Sequence, residues 1–422
     1  MNSERVPLSS FASLTKGLSY QGAYLDQEGP VLIGIGTISE RGGFRPEKLR
    51  TYSGPHKTQH RIYPGEVYIS TTNMAEEMSY FLGSPAKFPD IHGDFGILTH
   101  HVSKIVWKVE DPRLQEFLYW TMRGKEFQIH CRNFGTGTTV YAVKNNDVLR
   151  FLVPSHPSEE QQQIVACLEK LNLFEESLKR MVENLESQIN AIFQSWLIDF
   201  SPVKDKANGK SPNGISKEIM KLFPDSFEET EIGKIPSGWT IATIHDLAKL
   251  RKDIVKQDEF SDKLAYIGLE HIPRNSLCLT NWGHSQDLGS NKYRFSNKDI
   301  LFGKLRPYFH KVGLAPVEGV CSTDILVIQP KNEKLRGFLL PILFSEHFVH
   351  FVSGCVEGDT LPRTKWDHFK LYKIAMPPIE IQEIFSSKID LILQNIESAI
   401  HTLDHINRLR DALLSQLTTT TQ

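Results

Sequence analysis

Two stretches of this chain carry side chains suited to holding a polyanion. Between Arg41 and Arg61 stand Arg41, Arg45, Lys48, Arg50, Lys57 and Arg61 against a single acid, Glu47, with Tyr52, His56 and His60 interleaved. Between Asn291 and Lys311 stand Lys292, Arg294, Lys298, Lys304, Arg306 and Lys311 against a single acid, Asp299, with Tyr293, Tyr308 and His310 between them. Lys and Arg neutralise phosphates, and Arg also pairs with guanine edges in the major groove. One basic loop is ordinarily a solvated surface. A second at a similar place in the other half of the chain has the logic of a duplicated site. The residues expected to contact nucleic acid are Arg41, Arg45, Lys48, Arg50, Lys57, Arg61, Lys292, Arg294, Lys304, Arg306, Tyr308 and Lys311.

Other constellations are weaker. FGTGTT (Phe134–Thr139) has the glycine spacing of a cofactor loop, but it follows no clear strand and no N-P-P-Y or D-P-P-Y motif accompanies it. It is read as a tight turn before a long helix. His401 and His405 are four residues apart on a helix, yet no carboxylate or cysteine is spaced to complete a metal site, so they are read as surface histidines. There is no P-loop, H-E-x-x-H or G-x-S-x-G. No catalytic constellation emerges.

What must position the basic stretches is helical. Pro157 to Phe200 opens with an S-x-x-Q capping box, Ser158 and Gln161, and contains no further proline or glycine. Its apolar residues Leu171, Leu178, Val182, Leu185, Ile189, Ile192 and Trp196 recur on a 4-3-4-3 spacing, with one polar slot at Glu175. Such a seam must pack on another helix. The partner is predicted over Pro378–Leu417, where an offset of 378 − 157 = 221 residues brings the two seams into phase. Leu171, Leu178, Leu185 and Ile192 then align with Ile392, Ala399, Ile406 and Leu413, and Val182 with Leu403. The seam positions expected to matter most are Leu171, Leu178, Leu185, Ile192, Ile392, Leu403, Ile406 and Leu413. Arg410 is the polar slot of the second helix.

The remainder repeats. FASL (Phe11–Leu14) is echoed by LAKL (Leu247–Leu250), the Ile62–Ser70 segment by FSNKDILFGK (Phe295–Lys304), and His101–Val109 by STDILVIQP (Ser322–Pro330). Gly137 and Thr139 are echoed at the same offset of 221 by Gly358 and Thr360. Leu114–His130 reads as one helix. Ser201–Gly214, rich in Pro, Gly, Asn and Lys, reads as a flexible connector. The expected order is a mixed domain over 1–155, a helix over 156–200, a linker over 201–235, a second mixed domain over 236–376 and a helix over 377–418. The fold class is α+β: two similar mixed domains separated by two long helices that form an antiparallel intramolecular coiled coil.

Composition agrees with this. The 422 residues suffice for two or three domains, and 40% hydrophobic content supports globular cores. A net charge of −2 confines any nucleic-acid surface to local patches. Five unpaired-looking cysteines fit a reducing compartment, and no signal peptide or membrane-length apolar run is read, so a cytoplasmic protein without membrane association is expected.

Four segments resemble one family. QSWLIDFSPV (Gln194–Val203), LFPDSFEETEIGKIPSGW (Leu222–Trp239), DILFGKLRPYFHKVGLA (Asp299–Ala315) and MPPIEIQEI (Met376–Ile384) are similar to segments of the DNA-specificity subunits of type I restriction–modification systems. The chain departs in two places. Its first domain lacks an I-P-x-G-W entry, and HPSEEQ (His156–Gln161) replaces a double proline. The resemblance implies two target recognition domains, each reading half of a split site in double-stranded DNA. It also implies that the helices act as spacer and as dock for two methyltransferase (modification) subunits, joined by restriction/translocase subunits. S-adenosylmethionine, ATP and Mg would then reside in those partners, with no cofactor and no catalysis in this chain. The competing readings are a self-contained DNA methyltransferase or nuclease, which would bind S-adenosylmethionine alone, and a coiled-coil DNA-binding regulator or scaffold, which would self-associate through the seam.

Overall fold

The structure is a computed structural model that describes residues 5–39, 42–46, 49–74, 82–91, 93–137, 140–210, 214–256, 264–284, 289–358 and 361–418. The chain divides into two compact units, residues 1–174 with 406–422 and residues 175–405.

In the first unit, strand Arg5–Pro7 pairs antiparallel with Leu152–Pro154, so the first and last strands of the domain close on each other. A four-stranded antiparallel sheet runs in the order 12–16, 102–107, 67–70, 85–87. A second sheet, ordered 50–51, 31–33, 96–98, 61–62, contains one parallel pair, 31–33 with 96–98. The helix expected over Leu114–His130 is two, Pro112–Arg123 and Lys125–Asn133, because Gly124 takes an extended conformation between them. Asp111 caps the first, accepting from the Arg113 amide, with Pro112 just inside. Phe117, Trp120 and Phe127 pack in one core with Ile164, Val165 and Leu168 of the first long helix (Glu159–Phe193) and Leu414 and Leu417 of the second (Ile379–Thr418). Gln161 Nε2 donates to the Leu417 carbonyl at 3.1 Å, so here the start of one helix lies beside the end of the other.

The second unit repeats this plan. Thr240–Thr243 pairs with Lys373–Met376 to close the domain. A four-stranded sheet runs 248–251, 325–330, 300–303, 312–314. A five-stranded sheet runs 254–255, 292–295, 319–321, 265–267, 283–284, again with one parallel pair, 265–267 with 319–321. Phe385 of the second long helix meets Trp196 and Phe338 edge-on, with centroids at 5.8 and 5.7 Å. In this unit the end of the first long helix lies beside the start of the second. Both units therefore hold the helices antiparallel.

The expected seam coincides with the burial in part, and Leu168, Phe193, Ile396 and Leu414 beside it are also buried. Leu178, Val182, Ile189, Trp196, Leu403 and Ile406 are buried, and Leu171, Leu185, Ile192, Ile392 and Leu413 are half-buried. The buried polar slot Arg410 directs Nη1 to Asn407 Oδ1 at 3.3 Å. The capping box forms reciprocally: Ser158 N–H donates to Gln161 Oε1 at 2.9 Å and Gln161 N–H to Ser158 Oγ at 3.2 Å. Ser158→Ala is expected to cost about 0.5–2 kcal/mol, read by thermal unfolding.

The connector expected over Ser201–Gly214 is corrected by the structure. The first long helix passes into a π-turn at Gln194–Ile198, and Phe200 adopts a left-handed conformation (φ 51°). A new helix, Ser201–Ala207, then begins with Pro202, whose fixed φ favours a first helical turn. The 201–235 linker also contains a short helix, Lys217–Met220, and the start of a hairpin, Phe227–Thr230 with Gly233–Pro236. Composition misled because Pro, Gly and Lys count as breakers. Burial of Pro202, Val203 and Phe223, and the edge-on contact of Phe200 with Trp239 at 5.5 Å, decide the outcome.

Candidate nucleic-acid interface

The basic stretch of the first domain is spread over its second sheet. Arg50 lies on one edge strand and Arg61 on the opposite edge strand. Exposed Arg50 forms a two-pronged pair with Asp26, Nε to Oδ1 at 2.9 Å and Nη2 to Oδ2 at 2.6 Å, and that hydrogen bonding holds the Asp26 carboxyl below its ordinary value. Arg61 lies 4.3 Å above the Phe95 ring and donates Nε–H to His56 Nε2 at 3.3 Å. Lys57 is exposed, and Arg45 is half-buried with its amide bonded to the Thr37 carbonyl. Arg41 and Lys48 lie outside the described residues.

The second basic stretch is less uniform than its sequence. Lys292, expected to meet DNA, is only 6% exposed; Nζ donates to the Ser290 carbonyl and Oγ at 2.8 and 2.7 Å, and burial lowers its pKa. Its side chain is turned inward and folded back on Ser290, which withdraws it as a contact, whereas Arg294 on the same strand stays partly exposed. Lys311 donates to the Leu269 carbonyl and burial lowers its pKa too. Arg294 pairs with Asp253 at 3.7 Å. Arg306 holds a left-handed backbone (φ 50°), and its guanidinium lies 5.9 Å from the Phe309 ring. Tyr308 is 55% exposed. Lys304 reaches Asp324 at 3.9 Å and opens into a cleft of about 310 Å³.

That cleft is what the sequence did not single out. Its walls bring Lys304 together with Arg251, Lys252, Arg363, Lys365 and Trp366 from three distant segments. Arg251 is anchored to Ser296 Oγ (2.7 Å), Asp299 (3.3 Å) and Asp253 (3.1 Å), while Lys252 and Lys365 are exposed at the rim. The signal available was the echo of Gly137 by Gly358, which opens the hairpin that delivers Arg363. At Gly137 (φ +128°) an added Cβ would fall 2.0 Å from the Val140 carbonyl, so only glycine fits there. Thr139 and Thr360 lie outside the described residues.

The two domains build this place with the same backbone bonds. Thr71 N–H donates to the His101 carbonyl and Val143 N–H to the Thr71 carbonyl, at 2.9 and 3.0 Å. In the second domain Lys304 donates to Asp324 and Thr364 to Lys304 at the same distances. The side chains differ. In the first domain His101 contacts Thr72 Oγ1 through Nδ1 at 2.8 Å and lies 3.8 Å from the His100 ring; burial, then His100 and Lys16, lower its pKa.

The second domain is tied to the first long helix by Glu186, which is 8% exposed. Its Oε1 accepts from Ser276 Oγ at 2.8 Å and from the Leu277 amide at 2.7 Å. Burial raises its pKa and these bonds oppose the rise. A raised folded-state value means a contribution fully present below the unfolded value of about 4.3 and lost as pH rises through the folded value. Glu186→Gln keeps an accepting oxygen, so its melting temperature is expected to gain on the wild type as pH rises from about 4 to 7. Glu186→Leu strands the buried Leu277 amide, at about 1–3 kcal/mol, and frees the half-buried Ser276 hydroxyl. Lys298 of the same domain pairs with Glu397 of the second long helix at 3.2 Å.

His401 and His405 are exposed, and no group of three metal-binding side chains occurs among the described residues. No single described helix is long and apolar enough to cross a membrane.

A duplicated α+β domain, each copy followed by a long helix, defines a two-domain specificity-subunit fold. A crystal structure of the S subunit of a type I restriction–modification system from M. genitalium shares it, with a TM-score of 0.54 at 15% identity over 100% of this chain and 97% of that one. The chain as a whole is similar to the DNA-specificity subunits of type I restriction–modification systems. Residues 236–408 match the family described as type I restriction modification DNA specificity domain. The chain is 23% identical over 326 residues to the type I restriction enzyme MjaIX specificity subunit of Methanocaldococcus jannaschii, covering 73% of this chain and 69% of that one. It is 22% identical over 312 residues to the EcoDI specificity subunit of Escherichia coli, covering 71% and 68%.

Proposed function

We propose that this chain selects the DNA sequence for a type I restriction–modification complex and performs no bond chemistry itself. Each α+β domain reads one half of a bipartite duplex site, and the helix pair sets the gap between the halves. Two modification subunits dock on the chain and carry S-adenosylmethionine. Restriction/translocase subunits carry ATP and Mg. The complex works in the cytoplasm.

The observation that carries this reading is the duplication. Two domains close with matching strand pairs, 5–7 with 152–154 and 240–243 with 373–376, and repeat the same backbone bonds around Thr71 and Lys304 with different side chains. Two copies of one scaffold lined by different side chains are what reading two unlike half-sites requires.

The experiment is methylation mapping in a host carrying this chain with its modification subunits. The expected result is one methylated sequence with two specified parts and an unread interval. A continuous site, or adenine methylation by this chain alone, would overturn the reading.

A further inference from the structure

The cleft of the second domain contains an arginine that is already aimed. Arg363 Nε donates to Asp324 Oδ1 at 3.0 Å and Nη2 to Oδ2 at 3.4 Å, with the arginine side chain 40% exposed. Its backbone is held on both sides. Arg363 and Glu357 exchange two amide–carbonyl bonds of 3.0 Å each, and the neighbouring Thr364 amide donates to Lys304 at 3.0 Å. The Arg306 amide fixes the preceding Pro362 carbonyl at 2.8 Å. The side chain thus stands on a segment tied to Lys304, just past strand 300–303 of the four-stranded sheet.

A guanidinium has five N–H donors in one plane. Asp324 takes two of them along one edge. Of the three left, one on each Nη nitrogen point off the end of the group in parallel. That fork matches the O6 and N7 acceptors of guanine in the major groove. A phosphate contact needs no such aim, and the neutral Asp324–Arg363 pair adds little general attraction for DNA. What the pairing supplies is direction. Generic attraction can come from the rim, where Lys252 is exposed; Lys365 is exposed too but is paired with Glu357.

The first domain lacks this device at the same place. Thr136 and Ala142 exchange the two backbone bonds that Glu357 and Arg363 exchange, so Ala142 occupies the position of Arg363. His101 occupies that of Asp324, by the matching bonds to Thr71 and Lys304. The position is therefore one at which the two domains differ in what they can recognise.

We infer that Arg363, oriented by Asp324, reads a guanine in the half-site of the second domain. This rests on the DNA-reading function proposed above. The test uses the chain assembled with its modification subunits and duplex oligonucleotides carrying the site mapped for the wild type, with each base pair replaced in turn. For Arg363→Ala, discrimination is expected to fall on the order of 10- to 100-fold at one G·C pair of one half-site, with the other half-site and the salt slope unchanged. Arg363→Lys keeps the charge and loses the fork, so it is expected to relax the same pair. Asp324→Asn is expected to relax it partly. Lys252→Ala, a rim change, is expected to weaken all sequences alike and lower the salt slope by about 1.

Uniform weakening by Arg363→Ala, unchanged discrimination at every pair in a folded complex, or full discrimination by Arg363→Lys would overturn the inference. Each of those outcomes would leave the bipartite site of the wild type intact. Loss of the bipartite site in the wild type would instead sink the function itself.

Discussion

Phe385→Ala is expected to lower the melting temperature of the unit formed by residues 175–405 on the order of 10 °C. Phe385 is fully buried and wedged between Trp196, in the π-turn that ends the first long helix, and Phe338 of the second domain's helix Arg336–Phe344. Truncating a buried phenylalanine removes its transfer free energy and leaves a cavity, together about 3–5 kcal/mol. Each kcal/mol is worth about 2–4 °C in a unit of this size. Because the ring touches both a helix and a domain, the loss should appear in one cooperative transition. Leu409→Ser on the same helix supplies the contrast. Leu409 is 47% exposed, and its replacement should stay within about 0.5 kcal/mol. Differential scanning calorimetry of the two variants checks both. Equal melting temperatures would mean that the helix pair does not carry the fold.

The second large effect is on specificity. Replacing residues 5–154 with the corresponding domain of a relative is expected to change one half of the methylated sequence completely and leave the other half as it was. The borders are set by the pairing of Arg5–Pro7 with Leu152–Pro154, which keeps both junctions on adjacent strands. The interface to be matched is the set that the domain shares with the helices, chiefly Ile164, Val165, Leu168, Leu414 and Leu417. Methylation mapping of the chimera reads the outcome. A change in both halves would mean that the domains read DNA jointly. Insertion of one heptad near Leu185, matched by one at the facing position of the second helix, is expected to alter the unread interval alone, since seven residues in each preserve the seam.

The helices were the most legible part of the sequence because their signals are local and periodic. A capping box and a recurring apolar position survive without knowledge of the tertiary fold, and Ser158, Leu178 and Ile406 stand where that pattern puts them. The connector failed for the opposite reason. Whether Pro202 and Val203 start a helix depends on their burial, and Phe200 meets Trp239, a partner 39 residues away by 239 − 200. The site was legible only as charge. A run of lysines and arginines does not say which of them a strand turns inward, so Lys292 looked available and is buried. Arg363 lies 57 residues beyond Arg306 by 363 − 306, and only the sheet brings its hairpin to Lys304. Its one trace was the repeated glycine, which marks a backbone requirement and says nothing about the side chains that follow.

The closing strand pairs carry a consequence for heredity. In each domain the chain enters and leaves on hydrogen-bonded neighbours, Val6 opposite Val153 and Ile241 opposite Ala375. Paired strands lie about 4.8 Å apart, whatever is folded between them. A loop can therefore lengthen or shrink inside either domain without displacing the ends of the helices. Recombination at these strands would trade one reading head for another while the frame keeps its measure. On the proposed function, a lineage would then acquire a new target in a single genetic event, before any point mutation had time to test a base contact.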